Sequence, residues 1–82
     1  MTPAQLRMAR AATRLSVRDL AKLAGVTPNT VSRIEGGGDA MASTLEKLKT
    51  ALEDKGAIFI PANGGPAGVR LKSESEIAAH DA

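Results

Sequence analysis

The 82-residue sequence contains no cysteine, no tryptophan and no tyrosine, and Phe59 is its one aromatic residue. Without cysteine, neither a disulfide framework nor a thiolate metal site can form. The shortage of aromatic side chains requires an aliphatic hydrophobic core. A chain of this length has room for one small domain, which buries only about 60% of the surface of its unfolded state.

The sequence also lacks a long apolar run, because no stretch approaches the roughly 20 residues that span a bilayer and none resembles a signal peptide. We therefore expect a soluble, cytoplasmic protein without a membrane partner. The one histidine, His80, lies in a polar stretch with no second metal ligand nearby, so we interpret it as a solvated residue. No carboxylate pair is placed for catalysis, and we expect neither enzymatic activity nor a cofactor, metal or small-molecule ligand.

The charge is unevenly distributed along the chain, although the net charge is only +2. Residues 1–38 carry six basic and two acidic side chains, whereas residues 39–82 carry five basic and seven acidic ones. A basic excess on one part of a small domain is the electrostatic footprint expected of a nucleic-acid-binding surface. On its own it is equally compatible with arginine-rich surface helices.

Residues 16–24 predict a short amphipathic helix. Ser16 can cap this helix and forms a capping-box pattern with Asp19. Gly25 is expected to end it, because glycine adopts the left-handed conformation without a steric penalty. The apolar residues at helical spacing are Val17, Leu20, Ala21 and Ala24.

A second helix is predicted from Pro28, with Thr27 as its cap and proline at the first helical position. Val31 and Ile34 point inward. A helix with two inward apolar residues and a polar outer face requires a partner for that face. The outward residues are Asn29, Thr30, Ser32 and Arg33.

This two-helix stretch resembles the phage-repressor/Cro-like helix-turn-helix family of bacterial transcriptional regulators, the xenobiotic-response-element type. The resemblance covers roughly residues 3–56 and includes Gln5, Leu6, Ala9 and Arg10 in a preceding helix. It is specific as a combination at fixed spacing. The matching residues of the central motif are Leu20, Ala21, Gly25, Val26, Thr27, Val31, Ile34, Glu35 and Gly36.

The sequence departs from the family pattern at two positions. The family usually has glutamine where this chain has Val17, and often has glycine where it has Arg14. The missing glutamine often contacts a phosphate in relatives, so that contact does not transfer to Val17.

The resemblance implies a sequence-specific regulator that binds double-stranded DNA through its second motif helix. Asn29 and Arg33 are one turn apart and are predicted to read base edges, assisted by Thr30 and Ser32. The family also pairs an arginine at position 10 with the glutamate at position 35, which joins the first helix to the end of the recognition helix. The residues predicted to hold the DNA backbone are Arg18, Thr27, Pro28 and Ser43.

Two further helices complete the predicted domain. Thr2, Pro3 and Gln5 are a start signal for a first helix that runs to about Thr13. A fourth helix is expected from a capping box at Ser43 and Glu46 to about Lys55, and its exposed amides could bind a phosphate. The glycine run at 36–38 lacks the residues of a phosphate-binding loop, so we interpret it as a flexible helix stop.

After residue 56 the pattern changes to short β-favouring runs at 57–60 and 68–72, separated by a turn-rich connection. The predicted fold is therefore mostly α, with four helices in residues 1–56 and an antiparallel β-hairpin in residues 57–72. Residues 73–82 are expected to be a flexible or weakly helical tail.

Both faces of the first strand are apolar, so we predict a homodimer. Its interface is predicted to contain Ile58, Phe59, Ile60, Val69 and Leu71.

The predicted function is a dimeric repressor that reads a pseudo-palindromic operator through the major groove. An antitoxin or protein-binding adaptor on the same scaffold is the alternative, since a fold does not determine a function.

Overall fold

The computed structural model describes residues 1–72, and it contains four helices followed by an antiparallel two-stranded hairpin. The predicted fold class is confirmed. The expected tail at 73–82 lies outside the described residues. The elements are α1 (Pro3–Ala12), α2 (Val17–Ala24), α3 (Pro28–Glu35), α4 (Ala42–Asp54), β1 (Ala57–Ile60) and β2 (Gly68–Leu71).

The start of α1 is a complete capping box. The Thr2 hydroxyl accepts from the Gln5 amide at 3.0 Å, and the Gln5 side-chain oxygen accepts from the Thr2 amide at 2.9 Å. Pro3 is at the first helical position, where its missing amide proton costs nothing. These local signals place the beginning of α1 where the sequence predicted it.

The chain between α1 and α2 turns at Arg14, which has a φ of 59°. This left-handed conformation is disfavoured for residues with a Cβ atom. It accounts physically for the glycine that the resembled family often has at this position.

The predicted turn between α2 and α3 is present. The Ser16 hydroxyl accepts from the Asp19 amide, but no return bond from the Asp19 carboxylate occurs within residues 1–72, so only half of the predicted capping box forms. Gly25 ends α2 at a φ of 74°, and the following amide of Val26 donates back to the Ala21 carbonyl at 2.9 Å. This is the hydrogen-bond pattern of a glycine-terminated helix.

The predicted cap of α4 is wrong. The helix starts at Ala42, its N-cap residue is Met41, and no side chain caps it. Ser43 therefore lies inside the first turn instead of before it. The preceding Ala40 is half-buried against the core, and a serine cap contributes only about 1 kcal/mol, so packing sets this helix start.

The core is aliphatic, as the composition required. Every helix contributes to it, and Leu45, Val17 and Ala24 pack against its margin. The buried apolar residues are Leu6, Ala9, Leu20, Ala21, Val31, Ile34, Leu48, Ala51, Leu52 and Ala57.

The hairpin packs against α1 and α4 through one face. Ala57 is buried, and Phe59 and its cross-strand partner Val69 are half-buried against the core. Because side chains alternate along a strand, Ile58 and Ile60 lie on the opposite face. The register pairs Ala57 with Leu71, Ile58 with Arg70, Phe59 with Val69 and Ile60 with Gly68.

Candidate nucleic-acid interface

The exposed face of α3 carries the polar residues that the sequence pointed to. Val31 and Ile34 are buried, at 0% and 4% exposure. Asn29, Ser32 and Arg33 are exposed, and their spacing of three and four residues places them on one side of the helix. This short helix is therefore anchored by two apolar side chains and presents amide, hydroxyl and guanidinium groups outward.

The first turn of α3 is held by two threonines. The Thr27 hydroxyl accepts from the Thr30 amide at 3.3 Å, and the two hydroxyl oxygens are 2.9 Å apart. Thr30 is half-exposed, and its hydroxyl is directed towards Thr27. Pro28 follows the cap and is exposed. The structure thus brings Thr27, Pro28 and Thr30 together at the N-terminus of α3.

Two predicted backbone-binding residues lie on other helices. Arg18 is exposed in the first turn of α2, and Ser43 is exposed in the first turn of α4. Among residues 1–72 no side chain accepts from the first amides of α4, in contrast to the capped starts of α1, α2 and α3.

The end of α3 is joined to α1 by Arg10 and Glu35, the pair that the resemblance implied. Arg10 Nε lies 2.6 Å from one carboxylate oxygen of Glu35, and Nη2 lies 3.1 Å from the other. The hydrogen bond to Glu35 raises the pKa of Arg10 against the opposing effect of burial. Arg10 also donates to the Leu15 carbonyl at 3.3 Å, so it joins α1, α3 and the turn before α2.

A second arginine holds the same helix end. The Arg7 guanidinium donates to the Glu35 carbonyl, one of the terminal carbonyls that have no partner within α3. Two arginines of α1 thus fix the C-terminal end of the helix that would face a ligand. The sequence singled out only Arg10, because nothing in the spacing of Arg7 indicates a backbone acceptor 28 residues away.

The glycine run after α3 forms a hydrogen-bonded turn. Gly37 has a φ of 93°, which requires glycine, and the Gly38 amide donates to the Arg33 carbonyl at 2.8 Å. A Cβ atom on Gly38 would lie 2.6 Å from Arg33 Cγ. The loop backbone therefore lies directly against the side-chain stem of Arg33.

A family model for the helix-turn-helix domain matches residues 4–53, which is more than half of the chain. The chain belongs to the helix-turn-helix domain family. No curated protein matches the sequence significantly. The matched segment contains all of α2 and α3 and leaves the hairpin outside.

The helix-turn-helix segment and the hairpin are joined by a side chain that the sequence did not single out for this role. Gln5 is 5% exposed, and its Nε2 donates to the Ile60 carbonyl at 3.0 Å and to the Gly68 carbonyl at 3.1 Å. The capping pattern indicated only its interaction with Thr2. Its second partners are more than 50 residues away, so no local signal could reveal them.

The five residues predicted for a dimer interface do not share one surface. Phe59 and Val69 are partly buried against the protein's own core. Ile58 is 40% exposed on the outer face, and Ile60 lies half-buried on that face. Leu71 is 46% exposed at the end of β2. The register places Leu71 on the same face as Phe59 and Val69, so the predicted set mixed the two faces because the first strand is apolar on both.

No group of three or more potential metal-ligating side chains occurs within residues 1–72. In the same part of the chain, no helix is long and apolar enough to cross a bilayer.

Proposed function

We propose that this helix-turn-helix protein is a sequence-specific DNA-binding transcriptional regulator of the phage-repressor/Cro-like type, acting as a repressor. The observation that carries the proposal is the exposed polar face of α3. Asn29, Ser32 and Arg33 lie on it together, and the rest of the described chain leaves it uncovered. A major groove admits a helix of this kind, with the side chains of its outer face directed at base edges.

In this proposal Asn29 and Arg33 read bases, and Ser32 and Thr30 assist. Arginine forms two hydrogen bonds with guanine and asparagine forms two with adenine, and each such contact discriminates by roughly 1–3 kcal/mol. Thr30 contributes least to base reading, since its hydroxyl already forms a hydrogen bond with that of Thr27. Within residues 1–72, Arg33 has no carboxylate within salt-bridge distance, which leaves its guanidinium open to DNA.

Selection of bound sequences from a random duplex pool, followed by Arg33→Ala, tests the base-reading role. We expect Arg33→Ala to weaken binding to the selected sequence much more than binding to a scrambled duplex. Lys55→Ala is the matched control, because it removes one positive charge at the far end of α4, about 18 Å along that helix from Ser43. An equal loss on both duplexes would reduce Arg33 to a phosphate contact.

Arg18, Thr27, Pro28 and Ser43 are proposed to position the DNA backbone. Arg18 supplies charge, while the first turns of α3 and α4 supply amides and hydroxyls. Affinity should fall steeply with salt, and Arg18→Ala should reduce the slope of log affinity against log salt by about one. If the slope of Arg18→Ala equals that of the wild type, Arg18 does not contact DNA.

We also propose that the protein binds as a homodimer through the outer face of its hairpin, where Ile58 and Ile60 lie. An isolated two-stranded hairpin is marginal in water, and its free edges can pair with another chain. A two-fold partner would present two α3 helices about 34 Å apart, which matches a pseudo-palindromic operator.

Ile58→Glu tests the dimer, because this side chain is exposed and can be changed without disturbing the core. Sedimentation should show monomers that bind the selected duplex weakly. Asn63→Glu places the same charge in the exposed hairpin turn and should remain dimeric. A dimeric Ile58→Glu variant would locate the interface elsewhere.

Purification from the native host with an equimolar second protein would favour the antitoxin or adaptor function.

A further inference from the structure

The last of three consecutive glycines after α3 touches the arginine proposed to read bases. A Cβ atom on Gly38 would lie 2.6 Å from Arg33 Cγ, 2.9 Å from the Arg33 carbonyl oxygen and 3.4 Å from Arg33 Cδ. The first two distances are too short for real contacts. The stem of Arg33 can therefore occupy its place only because residue 38 has no side chain.

Backbone conformation does not account for this glycine. Gly37 supplies the left-handed residue of the turn, at a φ of 93°, and Gly38 is not among the residues with positive φ. A Cβ atom on Gly36 would lie 3.5 and 3.6 Å from backbone oxygens, which is ordinary van der Waals contact. What the fold uses at position 38 is thus the small size of glycine, not its conformational freedom.

The loop after α3 also lies beside Arg33 at the protein surface. Arg33 shares one shallow depression with Asp39, Ala40 and Met41, and the Gly38 amide donates to the Arg33 carbonyl at 2.8 Å. Within residues 1–72 the one ion pair is that of Arg10 and Glu35, so Asp39 does not hold the guanidinium of Arg33. The stem of Arg33 is therefore confined by the loop backbone while its charged end is not paired.

We propose that Gly38 is a positioning residue for Arg33: its bare backbone confines the Arg33 stem so that the guanidinium projects from α3 in one direction. An exposed arginine otherwise samples many rotamers, and ordering it upon binding is costly. A side chain confined before binding loses less freedom when it forms two hydrogen bonds with a base. This inference rests on the base-reading role proposed above for Arg33.

The first test compares Gly38→Ala with Gly36→Ala. The measured quantity is the ratio of affinities for the selected duplex and a scrambled duplex, by fluorescence anisotropy. Arg33→Ala should lower this ratio by roughly 5- to 150-fold, the discrimination of one bidentate contact. Gly38→Ala should lower it by at least about fivefold, within that range. Gly36→Ala, in the same loop, should leave it unchanged, because its Cβ atom fits.

A double-mutant cycle separates positioning from general damage to the loop. The Arg33→Ala variant keeps only the Cβ atom of this side chain. The Cγ and Cδ atoms that a Cβ atom at position 38 would contact are therefore absent. Adding Gly38→Ala to that background should leave the ratio unchanged, even if the variant melts at a lower temperature. A further loss of discrimination in the Arg33→Ala background would overturn the proposal, as would an unchanged ratio in folded Gly38→Ala.

A measurement without DNA keeps the proposal separate from the proposed function. In the wild-type protein, NMR should detect contacts between the Gly38 α-protons and the Arg33 γ-protons, with three-bond couplings of a single χ1 rotamer. Gly38→Ala should change that rotamer and Gly36→Ala should not. Rotamer averaging of Arg33 in the wild type would refute the positioning role. Failure to select any DNA sequence, with a single rotamer observed, would refute only the DNA-reading function.

Discussion

Replacing Gln5 by methionine should release the hairpin from α1 while keeping the side chain nearly the same length. Gln5 makes three hydrogen bonds with its side chain. Its oxygen accepts from the Thr2 amide, and its nitrogen donates to the carbonyls of Ile60 and Gly68 at 3.0 and 3.1 Å. Methionine can make none of these bonds, and the site is 5% exposed, so water cannot replace them readily.

The size of the loss in the free energy of unfolding follows from these contacts. A buried hydrogen bond contributes about 1 kcal/mol net, and a partner left without one loses more. Three lost bonds, partly offset by the burial of an apolar side chain, give a decrease of about 2–3 kcal/mol in the free energy of unfolding. For a domain of this size, this corresponds to a Tm lower by about 10–20 °C.

Thermal and urea unfolding followed by circular dichroism measure this loss. Thr2→Ala is the comparison, since it removes the cap of α1 at a cost of about 1 kcal/mol and leaves the two bonds to the hairpin in place. The difference between the two variants isolates the contribution of the hairpin contacts. If Gln5→Met loses no more stability than Thr2→Ala, the two long-range bonds contribute nothing and the reasoning is wrong.

Gln5→Glu extends the same test through pH. At pH 7 a carboxylate would face two carbonyl oxygens and could only accept, whereas a protonated carboxyl can donate one hydrogen bond. The deficit in stability relative to the wild type should therefore be larger at pH 7 than at pH 4. A deficit that does not change with pH would place the side chain away from the strand carbonyls.

Three further changes have outcomes that unfolding measurements can check. Glu35→Gln should lower the free energy of unfolding by about 1–3 kcal/mol, because Arg10 loses its charged partner at a largely buried position. A loss near zero would mean that the pair is fully solvated. Arg14→Gly should raise the free energy of unfolding by up to about 1 kcal/mol by relieving the left-handed backbone, whereas Arg14→Ala should not. An equal gain in both variants would attribute the effect to charge. Gly25→Ala should lower the free energy of unfolding by about 1 kcal/mol through backbone strain alone, because within residues 1–72 a Cβ atom there has open space. An unchanged Tm would contradict the left-handed turn.

Local sequence signals correctly predicted most helix boundaries. Thr2 and Thr27 each precede a proline at the first helical position, and Gly25 follows the last residue of α2. Each signal acts through hydrogen bonds or backbone sterics within a few residues, so the surrounding fold has little influence on it. The inward residues of α3 followed in the same way from helical spacing, and with them its exposed face.

The same kind of signal failed at α4. Ser43 and Glu46 match a capping box, but the helix begins at Ala42 after the uncapped Met41. A cap contributes only about 1 kcal/mol, and Ala40, just before the helix start, packs against the core. Where a local preference is this small, the tertiary contacts of the neighbouring residues decide where the helix starts.

What the sequence by itself determined is the set of elements and the polar face of α3, because periodicity, caps and breakers act over a few residues. Which face of the hairpin packs inward was decided by the tertiary structure, since the alternating strand pattern of Ile58 and Phe59 is apolar on both sides. The tertiary structure also determines the roles of Gln5 and Gly38. Gln5 meets carbonyls more than 50 residues away, and the importance of Gly38 depends on the position that folding assigns to the Arg33 stem. Such contacts form only when the elements have packed, so no local pattern encodes them.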